Sequence, residues 1–363
     1  MPKLMVIIDG AADGGDKISC GETLLQMKKS GAYGFFKTTP QGFCAESLTC
    51  IATLLGVPPQ SIPQGRAYAE ALSCGAAVGD NDAVFRCSLV TVGGDGCLAS
   101  SCAEGAEDKT TLCKSFAEGF NMAGASFINM SGYKNLLILR GAAKAAVGIK
   151  TFAPHEHIGE PFEALLPCGA DKDVCTALCT VARKNIGNTA SGAQLAMLPW
   201  GMALKQALPK FEALHGIKGA AVCATEVMRG IAVNMGLHLV TPMGANAESD
   251  TNLTAKAEAA LGLLNDYEFV LVHINGADEL SHRRDAQGKA AFLKRVDDEL
   301  LALLLKKAPK GTVYLVCSDH SSLCKTGAHG GEAQPFVLYG GAYGGYMGEY
   351  DGTEAVELLL RGK

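Results

Sequence analysis

Residues 267–282 read YEFVLVHINGADELSH. Phe269 to Ile274 form a continuous, largely apolar run with polar residues on either side. Strands buried on both faces of a parallel sheet have this character, because helices cover each face and no solvent side is left to alternate toward. The run delivers Asp278 and His282 just beyond its carboxyl end. A carboxylate and an imidazole four residues apart face the same way on a helical turn. Divalent ions accept both ligand types.

Two other segments share this plan. LMVIIDG (4–10) ends at Asp9, and TVYLVCSDH (312–320) ends at Asp319 and His320. Open α/β sheets bind ligands outside the carboxyl ends of their strands, so three separate runs point their acidic residues toward one region. Adjacent residues on a strand face opposite sides. Asp319 and His320 can therefore serve one site only where the strand has ended, and SDHSS supplies such a turn. His329 stands in GAHGGE, among glycines that let backbone approach a ligand closely. Ser47 precedes an apolar helical stretch, TCIATLLG, and a helix N-terminus favours anions. Each residue also has an ordinary reading: a surface Asp–His pair, a solvated loop histidine, a helix-capping serine. Their common placement after buried strands is what joins them.

Outward from these strands, residues 253–264 and 287–306 carry apolar side chains at helical spacing among good helix formers. Residues 225–235 follow the apolar GAAVCA as another strand–helix unit. Residues 62–209 differ, with short strand-like runs (AVFRCSLVTV, NLLILRG), glycine-rich turns and a helical pattern near 174–185. The fold class expected is α/β, with a mostly parallel sheet between helices and an inserted smaller α/β domain. The discontinuous core would comprise residues 1–61 and 210–363, and the insertion residues 62–209. VPPQSIPQG, rich in turn formers, marks the first boundary.

The chain has 363 residues, a net charge of −5 and no basic run long enough to suggest a nucleic-acid partner. No apolar stretch reaches the ~18 residues of a membrane helix, and the N-terminal apolar run is too short for a signal peptide. The 14 cysteines are scattered, many in apolar contexts, with no C-x-x-C pair. That pattern suits a reduced, cytoplasmic protein.

In order and spacing, IIDGAAD, ESLTCIATLLGVPP, GRAYAEAL, DAVFRCSLVTV, LILRG, PHEHIGEPF, SDTNLTAKAEAAL, DYEFVLVHINGADELSH, VCSDHSS and GAHGGEAQPFVLYGG resemble the archaeal-type cofactor-independent phosphoglycerate mutases of the alkaline phosphatase superfamily. The resemblance implies an alkaline phosphatase-like core with an inserted lid. It implies Ser47 as nucleophile and two divalent ions, manganese first, with zinc, magnesium or cobalt as alternatives. One ion would be held by Asp9, Ser47, Asp319 and His320, the other by Asp278, His282 and His329. Arg66, Arg86, Arg140 and His155 would bind phosphate or carboxylate of a small phosphorylated substrate. The reaction implied is interconversion of 2-phosphoglycerate and 3-phosphoglycerate through a phosphoserine, without bisphosphoglycerate.

Departures from the family pattern lie on the substrate side. Leu48 follows the serine where the family has an acidic residue. Ala67 replaces a glycine, Ser88 replaces an asparagine, and TFAPH lacks the acidic residues that precede the Pro-His pair. Two other readings follow: a related phosphomonoesterase or phosphotransferase acting on another small phosphorylated or phosphonate metabolite, or an inactive relative with a binding or regulatory role. None of these features sets an oligomeric state.

Overall fold

A computed structural model describes residues 1–14, 18 and 20–361. The chain divides into two compact units, Met1–Ile62 with the chain from Ala207 onward, and Pro63–Gln206.

The first unit is built on an eight-stranded sheet. Its order is His238–Val240, Gly219–Val222, Phe269–Ile274, Lys3–Ile8, Val313–Cys317, Gln334–Tyr339, Ala32–Lys37 and Gly345–Asp351. The first five strands run parallel, and Gln334–Tyr339 is antiparallel to both neighbours. The sheet is thus mostly parallel, as the unbroken apolar runs required. Every residue of Lys3–Ile8, Phe269–Ile274 and Val313–Cys317 is buried. Leu4, Val6, Ile8, Val270, Val272, Ile274 and Val316 share one core cluster with Leu253, Ala257, Phe292, Leu300 and Leu304 from the helices.

The helical pattern at 287–306 is continuous in sequence but not uniform in winding. An α-helix at Ala286–Arg295 passes through a π-helical turn at Val296–Leu301 into Ala302–Lys307. The wider turn carries Asp297, whose carboxylate accepts from the backbone N–H groups of Thr23 and Leu24, both at 2.9 Å. These are orphan donors of the helix Glu22–Ser30, whose own N-cap, Gly21, has no side chain to offer. A Cβ on Gly21 would lie 2.6 Å from Asp297 Oδ2, so the glycine is what admits the remote cap.

The second unit has an antiparallel sheet in the order Ala125–Ser131, Lys134–Leu139, Ala83–Val92, Gln194–Leu204 and Gly187–Asn188. Phe85, Cys87 and Leu89 face a core with Cys113, Phe116 and Leu178. The opposite face carries two separate apolar clusters. Val84 packs with Ala67, Tyr68 and Ala71, while Val90 packs with Phe162, Leu165 and Leu166. Between them lie the buried polar residues Arg86 and Ser88.

Asp297→Ala should destabilise the fold by ~1–2 kcal/mol, the usual cost of a lost helix cap, seen as a lower midpoint of urea unfolding. An unchanged midpoint would show that the remote cap contributes nothing.

Candidate metal centre

Strand register sets the site. Ile8 lies opposite Ile274, and Ile7 opposite Cys317, so three central strands end level. Asp9 follows the first. Asp278 follows the second after one helical turn, in the helix Gly276–His282. Asp319 follows the third, past the turn at Ser318. The loops are then bound to one another. The N–H of Gly10 donates to Asp319 Oδ1 at 3.1 Å, and that of Ala11 to Ser318 Oγ at 3.1 Å. Gly10 has φ +62°, and a Cβ there would sit 2.9 Å from Asp278 Cα. Only glycine lets the first loop approach the second this closely.

The side chains form two adjoining groups. In the first, His320 Nε2 is 3.3 Å from Asp9 Oδ1 and 3.5 Å from Asp319 Oδ2. Ser47 Oγ lies 3.3 Å from Asp9 Oδ2 and 3.4 Å from His320 Nε2. Ser47 opens the helix Ser47–Leu54, and Leu48 behind it is buried. In the second group, Asp278 lies 3.2 Å from His282 Nε2 and 3.3 Å from His329 Nε2, which are themselves 3.2 Å apart. His320 also falls within reach of Asp278 and His329, so it adjoins both groups rather than one. Ligands bonded ~2.1 Å from a tetrahedral ion stand about 3.4 Å apart. The separations here match that edge length.

Charge and orientation make the same case. Three buried carboxylates converge, and among the described residues Asp9 Oδ1 and Asp319 Oδ2 have no hydrogen-bond partner. Burial first, then the charges of Asp319 and Asp278, push the Asp9 carboxyl well above its ordinary range. Burial, with Asp278 adding to it, lifts Asp319 to about 7. Burial, reinforced by His329, lowers His320 to about 3. A neutral His320 that donates from Nδ1 to Ser321 O at 3.3 Å turns the lone pair of Nε2 toward the carboxylates. Acceptors facing acceptors without water are costly unless a cation lies among them. His282 Nδ1 and His329 Nδ1 meet the carbonyls of Gly327 and Ala45, each at 2.8 Å, which aims both Nε2 atoms at Asp278. Burial opposes the charge on His282, but Asp278 outweighs it and holds the imidazole up at about 9. A metal bound there displaces those protons. The donor set therefore fits divalent ions.

Supporting residues were less legible in the sequence. His273 Nε2 lies 3.1 Å from Asp9 Oδ2. It is an imidazole inside an otherwise apolar strand, a signal that an interior partner was required. Lys256, buried on the helix Leu253–Leu263, donates to His273 O at 3.0 Å. Lys289 donates to the carbonyls of Ala12 at 3.2 Å and Ser322 at 2.8 Å, joining two site loops. Ser322 Oγ donates to Asp278 Oδ1 at 2.5 Å. A lysine in an amphipathic helix or a serine in a turn carries no sequence mark of such a role.

Of the anion-binding candidates, Arg66 and Arg86 come together in the second unit. Arg66 Nε and Arg86 Nη1 donate to the same Glu70 oxygen, at 2.9 and 2.5 Å. The His155 ring lies 5.5 Å from the Trp200 ring, which both arginines also flank. Arg140 is not part of this group. It is engaged by Asp82 at 2.7 Å and Ala77 O at 3.0 Å. Asp82 lies just before the strand Ala83–Val92, four residues ahead of Arg86, an extended span of ~13 Å.

Divalent ions such as Mn²⁺ should raise the melting temperature. Each occupied site would stabilise the fold by ~2.7 kcal/mol at free ion about a hundredfold above Kd. Asp319→Ala should remove much of the shift. The pH dependence follows from Asp319, raised from 3.8 to about 7 by burial. Its contribution to the ion-free fold is complete below 3.8 and is lost as pH rises through about 7. The ion-induced shift should therefore grow from pH 5 to pH 8 in thermal melts. A shift that is flat or falls over that range would contradict this account of the site.

Residues 1–355 match the family model described as the metalloenzyme superfamily. A 2,3-bisphosphoglycerate-independent phosphoglycerate mutase of Methanosarcina barkeri is 29% identical, the match covering 93% of this chain and 90% of the relative. Mutase 2 of that description from Methanothermobacter thermautotrophicus is 27% identical, with coverage of 94% and 89%. Among solved structures, a Pyrococcus horikoshii protein has a TM-score of 0.71 at 21% identity, covering 99% of this chain and 96% of its own. The cofactor-independent phosphoglycerate mutase of Thermoplasma acidophilum has a TM-score of 0.56 at 18% identity, with both chains fully covered. These structures share the fold. With carboxylates and imidazoles gathered at the ends of three parallel strands, and a family match over nearly the whole length, the chain belongs to the metalloenzyme superfamily.

Proposed function

We propose that this protein interconverts 2-phosphoglycerate and 3-phosphoglycerate through a phosphoserine at Ser47, without bisphosphoglycerate. The observation that carries the reading is the position of Ser47. Its hydroxyl lies between Asp9 and His320 at 3.3 and 3.4 Å and opens a helix. A hydroxyl that donates to a buried carboxylate has somewhere to send its proton, and helix N–H groups favour the phosphoryl charge. Bound divalent ions, which we assign as manganese, supply Lewis-acid stabilisation of the serine oxygen and the phosphoryl group.

Asp9, Ser47, Asp319 and His320 would hold one ion, and Asp278, His282 and His329 the other, with His320 close to both. The unit Pro63–Gln206 is assigned the part of substrate-binding lid. Arg66, Arg86 and His155 would receive the anionic groups of the substrate. Arg140, the fourth candidate for this role, is held by Asp82 at 2.7 Å. The retained glycerate then takes the phosphoryl group back on its other hydroxyl, and water must be excluded in that interval. The names of the archaeal relatives, at 27% and 29% identity, support the choice of reaction.

The test is a mutase assay with Mn²⁺ and no bisphosphoglycerate. Wild type should equilibrate the two phosphoglycerates with little free phosphate. Ser47→Ala should lose more than ~1000-fold in rate, the scale of a lost nucleophile. Wild type that is inactive here but releases phosphate from an aryl phosphate would replace this reading with a phosphomonoesterase. Inactivity in both assays would indicate a binding role.

A further inference from the structure

The carboxylates of the first group divide their oxygens between two tasks. Asp319 Oδ1 accepts from the Gly10 N–H at 3.1 Å. Asp9 Oδ2 lies 3.1 Å from His273 Nε2 and 3.3 Å from Ser47 Oγ. The remaining oxygens, Asp9 Oδ1 and Asp319 Oδ2, are buried with no hydrogen-bond partner among the described residues. Both face His320 Nε2, at 3.3 and 3.5 Å. Each carboxylate thus has one oxygen fixed by a donor and the other turned to the space shared by the ligands.

Strand register supplies the donor for Asp9. His273 pairs with Ile7 on the neighbouring parallel strand, two residues before Asp9. Side chains two apart share a face of the sheet, so the imidazole stands on the side from which Asp9 projects. The backbone on both sides is fixed as well. The Asp9 N–H donates to Ile274 O at 2.8 Å, and Lys256 Nζ to His273 O at 3.0 Å. The His273 side chain is 1% exposed, so the ring has no path to water. An imidazole at such a position is costly unless a polar partner answers it. Facing an ionised carboxylate, Nε2 carries the hydrogen and donates.

We propose that His273 is a positioning residue for one ion of the two: by holding Asp9 Oδ2, it makes Asp9 a one-oxygen ligand that serves the first group through Oδ1. The inference rests on the reading of Asp9, Asp319 and His320 as ligands. His273 touches no ion and acts through Asp9. Without its N–H, the carboxylate can turn about its Cβ–Cγ bond, and Oδ1 loses its aim. The effect is confined to the first group. Asp278, His282 and His329 are held by other partners, namely Ser322 Oγ and the carbonyls of Gly327 and Ala45.

Full-length protein is titrated with Mn²⁺, and free ion is read from its sharp EPR signal, independently of turnover. Wild type should take up two ions per chain. In His273→Leu one ion should bind ~10–100-fold more weakly, the usual effect of removing the partner behind a metal ligand, and the other as in wild type. His273→Gln, whose amide N–H reaches the place of Nε2, should recover most of the lost affinity. His273→Asn is polar, but its amide stops at the place of Nδ1, and it should not. A His273 that serves packing alone would weaken both ions together, or neither, and either result overturns the proposal. So does rescue by Asn as complete as by Gln, or failure of a folded Gln variant to rescue. Should His273→Leu fail to fold, the contrast of Gln with Asn decides. Wild type that binds no Mn²⁺ would remove the ligand set and this inference with it. Wild type that takes up two ions but has no mutase activity would sink the proposed reaction and leave the role of His273 standing.

Discussion

Three carboxylates, Asp9, Asp278 and Asp319, are buried together at the ends of three parallel strands. Like charges in a water-poor site repel strongly, and each carboxylate also loses its hydration. Such a cluster persists where protons or cations neutralise it. Much of the first unit can be understood as the means of holding this arrangement. The equal register of Lys3–Ile8 with its neighbours brings the strand ends level. The interlocked loops fix the acidic side chains against their mutual repulsion.

Orientation is set one layer further out. The candidate ligand histidines are turned by backbone carbonyls, and Asp9 is held from behind by His273, which lies in the middle of a strand. Lys289 ties two site loops by donating to carbonyls on each. Lys256, pushed down to about 8 by burial, reaches the His273 carbonyl. These contacts make the site rigid because each ring or carboxylate has its second face committed to a fixed partner. An ion entering such a site reorganises little.

The second unit handles charge in the opposite way. There two arginines share one buried carboxylate, Glu70. Its sheet is antiparallel, and one face is split by a polar gap between two apolar clusters. A bulge beside Gly201 fills that gap with an indole, whose face suits guanidinium groups. Thus one unit gathers buried carboxylates and imidazoles, and the other gathers two arginines on one carboxylate beside an indole.

Much of this was legible in the chain itself. Unbroken β-branched runs dictated a parallel sheet, since only strands covered on both faces can afford no polar side. Acidic residues after those runs marked where a ligand belongs, because parallel strands leave their carboxyl ends together. Asp278 and His282 declared a shared face through helical spacing alone. Pairings across distant segments depend on tertiary structure. The placement of His320 beside both groups, the remote capping of one helix by Asp297, and the support from His273, Lys256 and Lys289 all join residues far apart in sequence. Arg66 and Arg86 likewise look equivalent to Arg140 as isolated arginines. Helical spacing sets Arg66 beside Glu70, and only the tertiary fold brings Arg86 to the same carboxylate and Arg140 to Asp82. A residue's type states which bonds it can make, and the fold alone decides which partner stands within 3 Å.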